Sequence, residues 1–77
     1  MYGQEIHIEI GFNILKQRRL KNLTQDQVAA DAGISRSRLS AIEHGTASFT
    51  FVTLLKIAEA LGVDFHVLLE TKSNMHC

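Results

Sequence analysis

Seventy-seven residues, 45% hydrophobic and 21% charged, allow one small domain with its own core and no more. No apolar run approaches the ~18 residues of a membrane span, and Met1-Tyr-Gly-Gln-Glu-Ile-His7 lacks the basic-then-apolar order of a secretory signal. The formal net charge is zero, which argues against a non-specific nucleic-acid coat. The charge is nevertheless unevenly spread. Residues 16–38 hold Lys16, Arg18, Arg19, Lys21, Arg36 and Arg38 against Asp26 and Asp31, while the rest of the chain is acidic by the same margin. Such a molecule can turn a basic face to phosphates. The single cysteine, Cys77, cannot form an internal disulfide, which points to the cytoplasm.

Residues 1–9 read as an N-terminal arm. Ile6, Ile8 and Ile10 alternate with His7 and Glu9, either as a short strand or as a frayed arm whose last isoleucine enters the core. From Ile10 the period becomes helical, and Ile14, Leu15 and Arg18 share a face, which predicts a first helix over about 10–21. Asn22 is its stop, because asparagine tolerates the left-handed conformation. A second helix follows over about 24–32. Thr24 caps it, and Gln27 completes a capping box. Gly33 breaks it, Ile34 plugs the core, and Ser35 caps a third helix over about 35–44 that buries Leu39 and Ile42 and closes at Gly45.

Residues 46–49 form a loop. Thr50 caps a fourth helix over about 50–61, with Phe51, Leu54, Leu55, Ala58 and Leu61 at helical spacing and Gly62 as its stop. The segment 63–70 is apolar and reads two ways. As a helix capped by Asp64, it stacks Phe65, Leu68 and Leu69; as a strand, it alternates Phe65, Val67 and Leu69. The Asp cap and the Leu68–Leu69 pair favour the helix. Residues 10–70 thus form the domain, and 71–77 a flexible tail.

Two short helices joined at Gly33 make a rigid angled pair that can lay its second member in a DNA major groove. The pattern resembles the Xre family, the helix-turn-helix fold of lambdoid phage repressors and Cro. The resemblance covers about residues 10–70. It rests on Arg18, Leu23-Thr24-Gln25, Val28-Ala29, Ala32-Gly33-Ile34-Ser35, Leu39, Ile42-Glu43, Gly45, Thr53 to Ala58 and Ala60 to Val63. It implies an all-α, five-helix, lambda-repressor-like DNA-binding domain with the helix-turn-helix at helices 2 and 3.

The resemblance also implies roles. Gln25 grips a phosphate and braces the recognition helix, at a helix start that already favours an anion. Thr24 and Ser35, at the starts of helices 2 and 3, are DNA-contacting residues as well. Arg36, Ser37, Ser40 and Ala41 face bases, with Arg38 and His44 beside them. Arg36 can grip guanine O6 and N7, or else contact a phosphate. A phosphate contact is the better reading for Arg38. Arg18 and Glu43 pair between helices 1 and 3, since a lone carboxylate beside Ile42 would be costly. The loop Thr46-Ala-Ser-Phe49 departs from the family by lacking side-chain cations, so a phosphate clamp there must use hydroxyls and backbone N–H groups.

Size and symmetry imply a homodimer on a palindromic operator, with Phe65, Leu68 and Leu69 at the dimer interface. The partners are double-stranded DNA and a second copy. A toxin protein is the alternative partner in a toxin–antitoxin reading, which an intersubunit strand at 64–70 would favour. A restriction–modification controller is a second alternative. His7, His44, His66 and His76 lie at no metal-ligand spacing, and no nucleophile has an evident base. No metal, cofactor or catalytic residue is expected.

Overall fold

The computed structural model describes residues 2–70, with side chains from Ile6 onward. Five helices follow in order: α1 (Tyr2–Leu20), α2 (Gln25–Ala32), α3 (Arg36–Glu43), α4 (Phe51–Leu61) and α5 (Phe65–Leu68). No strand occurs among the described residues, and the architecture is the expected all-α, five-helix one. α2 packs chiefly on α4, and α1 on α3, around a core of Ile10, Ile14, Val28, Leu39, Ile42, Leu54, Ile57, Leu61 and Leu68 with three small alanines. The alanines, Ala29, Ala32 and Ala58, are nearly fully buried.

The helix boundaries are set by local chemistry. Thr24 Oγ1 accepts from the Gln27 N–H at 3.1 Å, and Gln27 Oε1 accepts from the Thr24 N–H at 2.8 Å, a reciprocal capping box. Ser35 and Thr50 cap α3 and α4 by accepting from the Arg38 and Thr53 N–H groups, each at 3.1 Å. At the other end of α1, Asn22 turns left-handed with φ 57°, the Leu23 N–H donates to Arg18 O at 3.0 Å and the Asn22 N–H to Arg19 O at 3.1 Å. This pair of bonds satisfies carbonyls that the helix leaves open. Gly33 closes α2 in the same way, at φ 73°, with the Ile34 N–H donating to Ala29 O at 3.0 Å. Most side chains would be strained at that φ, which favours glycine here as it favours asparagine at position 22.

The N-terminus departs from expectation. α1 begins at Tyr2, eight residues before the start read from the periodicity, and residues 2–9 are helical rather than an arm or a strand. The reason lies in a coincidence of periods. Ile6, Ile10 and Ile14 are four apart, so isoleucines that alternate along a strand also share one face of a helix. Ile10 and Ile14 are buried, and Ile6 packs against the core. His7 meets the Phe49 ring edge-on with centroids 4.9 Å apart, which ties the extension to the loop after α3.

The segment 63–70 is a helix, but only of one turn. Asp64 stands at its N-cap position without making a side-chain cap bond. Its far end is held from outside instead. Asn13 Nδ2 donates to Leu68 O at 3.0 Å and to Glu70 O at 2.8 Å. Folded back in this way, α5 drives Leu68 into the core at 0% exposure. Leu68 is therefore a core residue of this chain, with no exposed surface to give to the interface expected of it. Phe65 and Leu69 remain half-buried. Phe51, placed on the inward face of α4 by spacing, is 63% exposed and stacks edge-on against Phe65 at 4.8 Å. The tail 71–77 lies outside the described residues.

α1 crosses α3 at close range, and Gly11 permits it. A Cβ at Gly11 would lie 2.2 Å from Ile42 O and 3.0 Å from Glu43 O, both backbone atoms. Helix propensity alone says that Gly11→Ala should stabilise α1 by about 1 kcal/mol. The packing reverses the sign. Gly11→Ala is expected to destabilise the fold by about 1–3 kcal/mol, because backbone carbonyls cannot swing aside. Urea unfolding of the two proteins checks this; a gain in stability would mean that the helices separate freely.

Candidate nucleic-acid interface

The site is built on a buried carboxylate. Glu43, in the last turn of α3, keeps 1% of its side chain exposed. Arg18 answers it with two bonds: Nε to Oε2 at 2.7 Å and Nη2 to Oε1 at 3.1 Å. This is the bidentate pair expected between helices 1 and 3. The fork has a third use, since Arg18 Nη1 donates to Leu23 O at 3.0 Å. Gln25 adds its own Nε2–H to Glu43 Oε1 at 2.9 Å. One carboxylate thus ties together the end of α1, the start of α2 and the end of α3. Gln25 is a brace as the resemblance implied, and its second Nε2 hydrogen has no partner among the described residues.

Above the brace, Gln25, Arg36, Ser37, Ser40, Ala41 and His44 line one open concave surface of about 560 Å³ together with Thr46. Six of the nine residues expected to meet DNA therefore converge. The other three flank them. Thr24 and Ser35 spend an oxygen lone pair on their helix caps and keep the hydroxyl hydrogen to donate. Arg38 points away from the concavity, and its Nη2 donates a long bond of 3.4 Å to Ser48 O. That contact matters for the loop. Residues 46–49 contain no cation of their own, and Arg38 leans its guanidinium into them from α3.

Arg36 and Ser37 are exposed at the first turn of α3. Ser40 and Ala41 follow one turn later, half-buried, and leave a floor without bulk. His44 Nδ1 lies 2.7 Å from Ser40 O, so that nitrogen carries the proton and donates back to the helix. The shape suits a helix face entering a groove, with a charged, forked donor at its tip and small residues behind.

Thr46, in the loop already read as a clamp by hydroxyls, joins the site, and sequence reasoning missed three further participants. Thr46 lines the concavity and donates from Oγ1 to Ala41 O at 3.2 Å. Asp26 lies 3.7 Å from Arg36 Nε. Asn13 and Gly11 act from behind, one holding α5 and the other admitting α3. A polar residue beside Ile14 on the buried side of α1 was the available signal for Asn13; nothing local marks the others, which depend on where distant backbone runs. Among the described residues, no group of three His, Cys, Asp or Glu side chains can hold a metal ion, and no helix is long and apolar enough to cross a membrane.

The family model for the helix-turn-helix matches residues 14–68. The chain belongs to the helix-turn-helix family. Proteins of this family are non-enzymatic, DNA-binding transcriptional regulators. This helix-turn-helix protein is similar to an HTH-type transcriptional regulator, y4dJ, of Sinorhizobium fredii, at 43% identity over 84% of this chain and 83% of the relative. It is also similar to the HTH-type regulator YqaF of Bacillus subtilis, at 39% identity over 78% and 80% of the two chains. Among solved structures it resembles the restriction-modification controller protein C.AhdI from Aeromonas hydrophila, with a TM-score of 0.77 and 30% identity over 79% of this chain and 92% of that one. In this helix-turn-helix protein the motif is α2, the Gly33-Ile34-Ser35 turn and α3.

The brace can be weighed by breaking it from one side. Arg18→Met leaves Glu43 buried with only Gln25 beside it, and is expected to cost about 3–5 kcal/mol of stability. Arg18→Met combined with Glu43→Leu should recover much of that, since no charge is then stranded. Thermal melts of the single and double variants supply the cycle; additive losses would show that the pair is not coupled.

Proposed function

We propose that this helix-turn-helix protein is a sequence-specific transcriptional regulator that binds a palindromic operator as a homodimer in the cytoplasm. One observation carries the reading: the exposed first turn of α3 and the braced Gln25 line a single concavity, with Arg36 at its tip. Arg36 and Ser37 read base edges in the major groove, and Ser40 and Ala41 let the helix lie close. Gln25, Thr24 and Ser35 hold phosphates at the N-terminal ends of α2 and α3, where unpaired N–H groups already favour anions. Arg38 and Thr46 take the backbone on the loop side. The excess of basic residues in 16–38 supplies the sequence-independent part of the affinity.

The dimer surface in this reading is Phe51, Val52, Phe65 and Leu69. Phe51 and Val52 are 63% and 57% exposed, and the Phe51–Phe65 stack extends the apolar patch to α5. Two such modules side by side give enough base contacts for specificity that one small module lacks. The likeness to C.AhdI supports a restriction–modification controller as the more specific form of this reading. A toxin–antitoxin role has less support, because α5 is a helix where that role would favour an intersubunit strand.

The reading predicts a dimer on DNA, with half-site centres about 34 Å apart. Selection from randomised duplexes followed by analytical ultracentrifugation of the complex tests it. A protein that stays monomeric at high concentration with the selected DNA present would overturn the dimer. A separate pair of variants tests the division of labour. Arg36→Ala should cost about 1–3 kcal/mol and relax preference at one base pair per half-site. Arg38→Ala should weaken all sequences alike and lower the salt slope by about one unit. Equal losses on selected and random DNA for Arg36→Ala would reassign it to phosphate.

A further inference from the structure

Asp26 is an acid in an awkward place. It is the second residue of α2, 77% exposed, and lies on the rim that faces DNA in the proposed reading. Next to the recognition concavity lies a second open surface, lined by Arg18, Asn22, Thr24, Gln25, Asp26 and Arg36 among others. Arg36 lines both surfaces, and Asp26 is the only acidic residue on either. A carboxylate there repels phosphates and weakens binding to any duplex. As an exposed ion pair it contributes little to the fold. Its charge suits the positive end of α2, but Thr24 and Gln27 already cap that helix.

The geometry of the pair suggests what the carboxylate does. Asp26 Oδ1 stands 3.7 Å from Arg36 Nε, on the side edge of the guanidinium. Nη1 and Nη2 make no hydrogen bond among the described residues, so the end of the fork stays available. That end presents two parallel N–H donors, matched to guanine O6 and N7. A guanidinium without such a neighbour swings to the nearest phosphate, which carries the larger charge.

We infer that Asp26 is a positioning residue for Arg36, which turns the arginine fork toward base edges and away from phosphates and so widens the gap between cognate and random DNA. The inference rests on the DNA-reading role proposed above for Arg36. Its mechanism is twofold. The carboxylate repels the phosphates that would compete for the arginine, and it restrains a long side chain that would otherwise lose freedom on binding.

The test measures wild type, Asp26→Asn, Asp26→Glu, Arg36→Ala and the Asp26→Asn/Arg36→Ala double variant. The probes are a duplex recovered by the wild type from a randomised library and a random-sequence duplex. Asp26→Asn is expected to tighten binding to random duplex and to narrow the cognate-to-random ratio by about two- to five-fold, the range of coupling seen for exposed ion pairs. The narrowing should fall at the base pair where Arg36→Ala also loses preference. Asp26→Glu, which keeps the charge, should retain most of the ratio. In the Arg36→Ala background the ratio should no longer respond to Asp26. An unchanged ratio in Asp26→Asn, with both duplexes bound tighter by the same factor, would reduce Asp26 to bulk charge and overturn the inference. So would equal losses on both duplexes with a lowered melting temperature, which is the mark of a merely structural acid. A wild type with no preference between the two duplexes would overturn the DNA-reading role itself, and this inference with it.

Discussion

Glu43 is a carboxylate almost wholly removed from water, and the helix-turn-helix motif is arranged around satisfying it. A buried charge of this kind is tolerated only when its oxygens find donors, and here three N–H groups from Arg18 and Gln25 supply them. The donors come from α1 and α2, while the acceptor ends α3. The angle between the two helices of the motif is therefore held electrostatically from behind, in addition to the packing of Val28, Leu39 and Ile42. Hydrophobic contacts alone are non-directional and would allow α3 to roll by part of a turn. A forked guanidinium on a carboxylate does not, because it must keep two bonds in one plane.

The same economy runs through the rest of the fold. Each helix start from α2 to α4 has a hydroxyl cap, so the segments begin at one residue rather than fraying. The α2–α3 turn is three residues long because Gly33 supplies the left-handed step and Ile34 returns to the core at once. Short, capped elements matter for reading DNA. In the reading proposed above, α3, with eight residues, has two turns in which to place its contacts, and a shift of one residue would replace Arg36 and Ser37 by different chemistry.

The backbone behind the site is set by small residues. Gly11 lets α1 lie against the carbonyls of Ile42 and Glu43, and the extension of α1 to Tyr2 then reaches past the end of α3 to the following loop. There His7 stacks on Phe49, and a Cβ at Gly45 would strike Ile8. The loop that carries Thr46 is thus buttressed by His7 and Ile8 of α1. With Arg38 leaning in from the other side, a loop without cations of its own gains one beside it.

The local chemistry of the sequence determined where α2, α3 and α4 start and where α1 and α2 stop, and which helices form the motif. Thr24 with Gln27, Ser35, Thr50, Asn22 and Gly33 each act within one turn of chain, so their meaning does not depend on the rest of the molecule. The pairing of Arg18 with Glu43 was legible too: a carboxylate beside Ile42 demands a partner, and the family resemblance supplied Arg18 as that partner. Other features were decided only in three dimensions. Ile6 and Ile10 fit one face of a strand and, with Ile14, one face of a helix equally well, and packing on Phe49 and the core chose the helix. Leu68 and Phe51 have the same apolarity, yet one is buried and the other exposed, because Asn13 folds α5 back against α1 while Phe51 sits at the outer start of α4. Periodicity states that a side chain has an apolar neighbour. It does not state whether that neighbour belongs to the same chain, because burial depends on backbone that arrives from fifty residues away.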